Sequence, residues 1–508
     1  MIKETLAKPV RFDFLRVNAP ERIAFGILLL WCILPAAMVI PTIVYGSSDI
    51  FVQAGLYARN GLLSQDCLKV FRRAFLVLGS ISIVFAALQI AINRQSLFRK
   101  ENLKRSIWFF LLVGLLIWSA VSTALSDDPL QQFRGSSYRC DGLFSYFIYG
   151  AILCCALSIE SEQLKRVLAL LFVSVVNVLC VIMLLEAAEV LPFRLMFQTP
   201  YAAVFNNQNH FAYVLCMSGL CAASMYLHEE STLSRVFYLL SLSFQVFTLL
   251  VNDTFGCYLA MVVGFAAIVL LWVKSGRTVR WRLFVPIVIF VALSAMSCLG
   301  CFSSIDHGNV GASVLGFFSD VNATVNDAPD AGRAGSGRLR LWVEALNMIP
   351  ERPIFGYGPE GLMGEYATKM GLDRPHNEVI QYAVFLGIPG LLLYLSALVS
   401  LAVKQWRSLK QLPATTLMAM AVVVGYFVSS LFGNTMFNTA PYFWMMLGFA
   451  ACSPVDGAFF QQSSHQVEVE SDKVGESVAP AAPSAARMIR IVVMAVVIAI
   501  LIILGFTL

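Results

Sequence analysis

The chain has 508 residues, 58% of them hydrophobic and only 13% charged, with a mean hydropathy of +0.74. Soluble domains carry about 25% charged residues, so the composition excludes an ordinary soluble globule and predicts an all-α polytopic membrane protein. The net charge of +5 gives no argument for a nucleic-acid partner and fits the excess of Lys and Arg in cytoplasmic membrane loops.

The first 21 residues are polar and show no cleavable signal peptide. Apolar runs then predict thirteen spans, roughly 22–46, 74–93, 107–126, 143–158, 167–188, 209–227, 236–252, 255–273, 283–303, 385–403, 415–433, 441–455 and 489–508. Several fall short of the roughly 20 residues that cross a bilayer, so the expected number is about 12–13. The pair 236–252 and 255–273, split only by Asp253-Thr254, must turn back as a tight hairpin. Basic clusters alternate from one inter-span segment to the next: Lys8 and Arg11, Arg99 and Lys100, Lys165 and Arg166, Arg277 and Arg280, Arg407 and Lys410. The positive-inside rule then places the N-terminus in the cytoplasm.

Three segments fall on the outer side: 127–142, 189–208 and the long 304–376, a large external loop before the tenth span. Loops of that length are usually functional or disordered. Residues 304–335 are rich in Gly, Ala, Ser, Asn and Asp and read as loose. Leu339, Trp342, Val343, Leu346 and Ile349 recur at helical intervals, so 339–350 is expected as an amphipathic helix over a lipid-accessible cavity. The expected organisation is a membrane core over 1–455, a disordered cytoplasmic linker over 456–488 and an extra helix over 489–508.

Most of the 12 cysteines lie in apolar runs and read as small hydrophobes. Cys67 and Cys140 both fall in outer segments, which permits a disulfide. No metal-ligand spacing is present: His210 lacks a second ligand, and the CxxC at Cys298 and Cys301 lacks a second pair.

Candidate chemistry gathers in the outer segments. Arg338 and Arg340 open the amphipathic helix, and arginine forks bind phosphate oxygens; alone, either could equally face water. His376, after Pro375, could take a proton near neutral pH or simply cap a helix. Asn377 and Glu378 are ordinary first-turn residues. Phe355 to Gly361, FGYGPEG, forms turns and lacks the Lys and Ser/Thr of a P-loop. FNNQNHFA, 205–212, could bind sugar hydroxyls or cap a helix through Asn207 or Asn209.

Together these segments resemble the O-antigen ligase and polymerase family of bacterial envelope glycosyltransferases. The resemblance rests on Ser336-Gly337-Arg338 with Trp342, Pro353 through Pro359 (PIFGYGP), His376-Asn377-Glu378 and Gly387-Ile388-Pro389-Gly390. Weaker matches lie at RGSSYRCDGL (134–143), NNQNHFA and NTMFNTAPYFWMMLG (434–448). One departure stands out: many ligases carry Ser-Arg-Gly at the span where this chain has Asp253-Thr254-Phe255-Gly256, so another cation, Arg139 or Arg134, would have to serve.

The resemblance implies a GT-C-like helical membrane fold in the bacterial cytoplasmic membrane. It implies a metal-independent inverting glycosyltransferase acting at the outer face, without a cofactor. The donor would be a glycan on undecaprenyl pyrophosphate, and the acceptor a glycan, lipid or protein hydroxyl. Arg338 would stabilise the leaving pyrophosphate, with Arg340, Arg139 and Arg134 as further cations. His376 would orient or deprotonate the acceptor hydroxyl, or bond the phosphate. Asn207, Asn209, Trp342 and Asn377 would contact substrate. The competing reading is a flippase or transporter of the same lipids, which would bury charge in a central cavity rather than gather it outside.

Overall fold

The computed structural model describes residues 17–39, 62–98, 106–136, 139–191, 199–205, 207–326, 338–363, 365–371, 373–434 and 436–452. The expected linker and final helix, 456–508, lie outside these residues. The described residues are helical, with no strand among them. The long apolar helices are α1 (Ala19–Ala37), α2 (Leu62–Leu97), α3 (Ile107–Ala124), α6 (Glu162–Ala187), α7 (Gln208–His228), α8 (Thr232–Asn252), α9 (Phe255–Lys274), α14 (Glu378–Arg407) and, together with the 3-10 turn Trp281–Phe284 before it, α10 (Val285–Cys298). Shorter apolar helices are α5 (Leu143–Leu157), α15 (Ala414–Ser430) and α16 (Ala440–Ala451). The short or amphipathic helices are α4 (Pro129–Arg134), α11 (Val310–Val325), α12 (Arg338–Met348) and α13 (Glu365–Met370). Twelve of the thirteen expected spans thus coincide with apolar helices, and the chain is an all-α polytopic membrane protein. Large apolar side chains such as Leu30, Ile117, Val178, Leu240 and Val291 face outward, which only a lipid solvent tolerates over a whole bundle.

The bundle is built around α7, whose window is 94% buried. It packs on α8, α9 and α15. The helix is rich in small residues, Ser218, Gly219, Cys221, Ala222, Ala223 and Ser224, which let neighbouring helices approach closely. Leu220 projects into a slot between α9 and α15. A Cβ on Gly264 would stand 2.4 Å from Leu220, and one on Gly425 2.2 Å, so a side chain on either wall would force Leu220 to shift. The expected α8–α9 hairpin turns at Asp253, held left-handed at φ 57.

Two sequence expectations need correction. Part of the segment read as loose forms α11, which is tied to the α8–α9 turn: Ser313 Oγ donates to Asp253 Oδ1 at 2.6 Å and Phe317 stacks on Phe255 at 4.7 Å. Its apolar residues gain packing there that composition does not reveal. The permitted disulfide is also not formed, because Cys140 is a buried free thiol beside the charge of Arg72.

Candidate active site

Residues around 136–141 and 360–374 meet at one end of the bundle, knitted together by buried charge. Arg374 is fully buried at the centre. It donates to Asp141 Oδ2 at 2.8 Å, and it lies 3.4 Å from Glu360 and 3.7 Å from Asp373. Glu360 also accepts the backbone N–H groups of Ser136 at 2.6 Å and Asp141 at 2.5 Å. Thus one carboxylate closes the 136–141 turn and one guanidinium clamps it to the strand of chain before α14. Burial opposes the Arg374 charge, but Asp141, Glu360 and Asp373 outweigh it and make the guanidinium hold its proton more tightly than usual. Burial likewise pushes Asp141 up to about 6, against the pull of Arg374.

Beside this cage sits a second pair. Arg139 is 8% exposed and grips Asp373 with both arms of its fork, Nε to Oδ2 at 2.9 Å and Nη2 to Oδ1 at 2.7 Å. Burial alone would raise Asp373, yet the Arg139 hydrogen bonds and charge hold it below the ordinary carboxylate value.

His376 follows three residues after Asp373, half-buried and in the left-handed region at φ 52. Loss of surrounding water drives its imidazole down to about 3, and the charges of Arg139, Arg338 and Arg374 push the same way against Asp373. It is therefore neutral at any physiological pH, able to accept one proton and donate one hydrogen bond. The other non-glycine residues with positive φ among those described are Cys140, Glu189, Ala203, Asp253 and Glu360. All fall in turns between helices, and backbone strain of this kind concentrates at functional sites.

The charges of Arg338 and Arg139 both act on His376. Arg338 opens α12, half-buried, and its charge also bears on Tyr213 of α7 and Cys257 of α9. Among the described residues no carboxylate pairs with it. A helix, α12, forms where expected, but its buried residues are Leu341 and Ala345, whereas Val343 and Leu346 of the expected apolar stripe face out; the Leu341 carbonyl accepts from Tyr366 at 3.1 Å. Trp342 is half-buried with its ring 6.1 Å from Phe432.

Other candidates change meaning. Asn207 caps α7 by accepting from Asn209 N at 2.8 Å, and Asn377 caps α14 by accepting from Ile380 N at 3.1 Å. The amide of Asn209 lies 3.2 Å from the Thr254 hydroxyl. These three side chains already have structural partners. Arg340 and Arg134 are exposed, outside the buried cluster. Arg139 belongs to the cluster but arrives already paired. Phe255, where an arginine was sought, stands in an aromatic group with Phe317 and Phe432.

The glycine-rich run is structural too. Helix α14 breaks at Gly387, whose φ of 69 and ψ of 179 are not helical. The break strands the carbonyls of Val384, Phe385 and Leu386. Tyr357 N and Gly358 N donate to the first two at 3.0 and 2.8 Å, and Trp118 Nε1 to the third at 2.8 Å. FGYGPEG and GIPG are two halves of one lock, which sets the first turns of α14 and hence His376.

Sequence reading missed Arg374, Asp373, Asp141 and Glu360. Asp373 and Arg374 directly precede Pro375-His376, so charge adjacent to the histidine was the available signal. His210 was dismissed as a metal ligand, yet it is buried in the first turn of α7, under the influence of Arg139 and Arg374.

Residues 238–395, from α8 through the break in α14, match the family model described as O-antigen ligase. The chain carries an O-antigen ligase family domain. The matched stretch contains Arg338, the glycine-rich lock and His376, and it assigns the protein in general terms to glycan transfer in polysaccharide biosynthesis. No curated protein matches the chain.

Proposed function

We propose that this O-antigen ligase family protein transfers a glycan from undecaprenyl pyrophosphate to a hydroxyl acceptor at the outer face of the bacterial cytoplasmic membrane, with its N-terminus inside. What supports the reading is that the charges of Arg338 and Arg139 both act on His376 and help keep it neutral. The acceptor oxygen attacks the anomeric carbon and forms the new C–O bond. The bond from that carbon to the phosphate oxygen breaks, and the electron pair leaves with the lipid pyrophosphate. The hydroxyl proton passes to His376, and a single displacement inverts the anomeric centre.

Preorganised cations are the main requirement, because the charge develops on the leaving group. Among the described residues no carboxylate competes for Arg338, which would leave it to meet that charge. The arginines supply the stabilisation a metal would otherwise give, so we read the reaction as metal-independent. The negative donor also offsets the cations that depress His376, which raises its basicity when a proton must be taken. An apolar cavity of about 210 Å³ between α2, α3 and α5, bounded by Tyr146, Tyr382 and Trp444, supports a lipid-chain substrate.

The test uses the full chain in liposomes with a lipid-pyrophosphate-linked oligosaccharide and a hydroxyl acceptor. Product and free lipid pyrophosphate should appear together. Arg338→Ala and His376→Ala should abolish both while remaining inserted. A wild-type rate from His376→Ala refutes its role as base.

A further inference from the structure

The site's charges pose a problem that the proposed transfer reaction leaves open. Arg139, Arg338 and Arg374 supply positive charge, and Asp141, Glu360 and Asp373 answer it. A pyrophosphate brings further negative charge, so it must displace a carboxylate or rely on Arg338 alone. The carboxylates are not equally able to move. The Asp141 and Glu360 side chains are 1% and 2% exposed and locked in the Arg374 cage, whereas Asp373 is 19% exposed. Moreover, Asp373 holds Arg139 in the two-pronged geometry that a phosphate would use.

We propose that Asp373 is a positioning residue that stands in for phosphate on Arg139 and surrenders that arginine when the donor binds. The inference rests on the reading of the site as a lipid-pyrophosphate site. The carboxylate keeps the Arg139 fork extended and aimed while the site is empty, which lowers the ordering cost of binding. It also competes, so it weakens affinity for the pyrophosphate product and favours its release. Arg374 keeps its place in the exchange, because its pair with Asp141 joins the two segments that carry Arg139 and Asp373. The exchange explains how a chain with Phe255 where an arginine was sought still presents a second cation to the phosphates.

The probe is inorganic pyrophosphate, titrated by calorimetry into the detergent-solubilised full chain. Asp373→Asn should bind at least about tenfold more tightly, the direction expected when a competing state is removed. The charge-neutral double variant Arg139→Gln/Asp373→Asn should lose that gain and bind more weakly than wild type. A purely structural pair predicts the opposite pattern: no gain from Asp373→Asn, and unchanged affinity in the double variant. Either of those results in folded protein overturns the proposal. If Asp373→Asn alone does not fold, the double variant decides on its own. Wild-type protein that binds no pyrophosphate, and is indifferent to Arg338→Ala, would instead overturn the underlying reading of the site.

Discussion

Two arginines of the segment before α14, Arg338 and Arg374, should give opposite phenotypes when replaced by alanine. Arg374 has a fully buried side chain that serves Asp141 at 2.8 Å and Glu360 at 3.4 Å, themselves 1% and 2% exposed. Removing it leaves two carboxylates near each other in the dry interior, and breaking a buried pair this way costs about 3–5 kcal/mol. The cost should depend on pH. Asp141 already titrates at about 6, above its ordinary value, with Arg374 acting to lower it. Its proton therefore stays on more readily in the folded protein, and more so once Arg374 is gone. At pH 5 the protonated Asp141 removes the uncompensated charge, while at pH 8 ionisation is driven against burial. Arg374→Ala should thus melt well below wild type in detergent at pH 8, and the gap should narrow at pH 5. Arg338→Ala should melt like wild type, because no described carboxylate loses a partner. It should nonetheless lose about 10²–10³ in turnover, roughly 2.7–4 kcal/mol of transition-state stabilisation. The melts are compared at one heating rate, since such unfolding is irreversible. Equal melting of Arg374→Ala and wild type at pH 8 would refute the cage, and an equally unstable Arg338→Ala would refute the division of labour.

His376→Gln should cut turnover about 10²–10⁴-fold at neutral pH. The same change should flatten the stability profile between about pH 3 and 6.5: the folded protein keeps His376 neutral down to about 3, so protonation of the unfolded chain costs wild type stability as pH falls through that window. Gly387→Ala must hold a Cβ at φ 69 only 2.1 Å from the Ile354 carbonyl oxygen, and should lower the melting temperature and activity together; Gly26→Ala, with nothing within 4 Å, is the silent control. Gly425→Val should destabilise by closing the Leu220 slot, and Leu220→Ala in the same chain should restore part of the loss; no rescue would show that the slot is not the cause. Thiol labelling with an impermeant reagent, in a Cys67→Ser/Cys298→Ser/Cys301→Ser background, should mark Asp127→Cys in intact cells and Lys410→Cys only after permeabilisation; the reverse pattern would invert the proposed orientation.

The spans were legible in the sequence because lipid imposes a one-dimensional rule: a crossing helix must satisfy its own backbone and present apolar side chains over a fixed length. The α8–α9 turn at Asp253 and the amphipathic α12 were legible for the same reason, since local periodicity fixes each. Arg338 and His376 stood out as candidates through the motifs around them. What they meet, however, is set by partners far away in sequence. Asn207 and Asn377 could be substrate ligands or caps until the backbone N–H groups they accept were in place. Arg139 could serve phosphate or protein until Asp373 was found in its fork, 234 positions along the chain. The Arg374 cage, the Leu220 slot and the lock between FGYGPEG and Gly387 each join segments by one side chain or a few hydrogen bonds. No periodicity announces such contacts, because their energies arise only when burial removes the competing water.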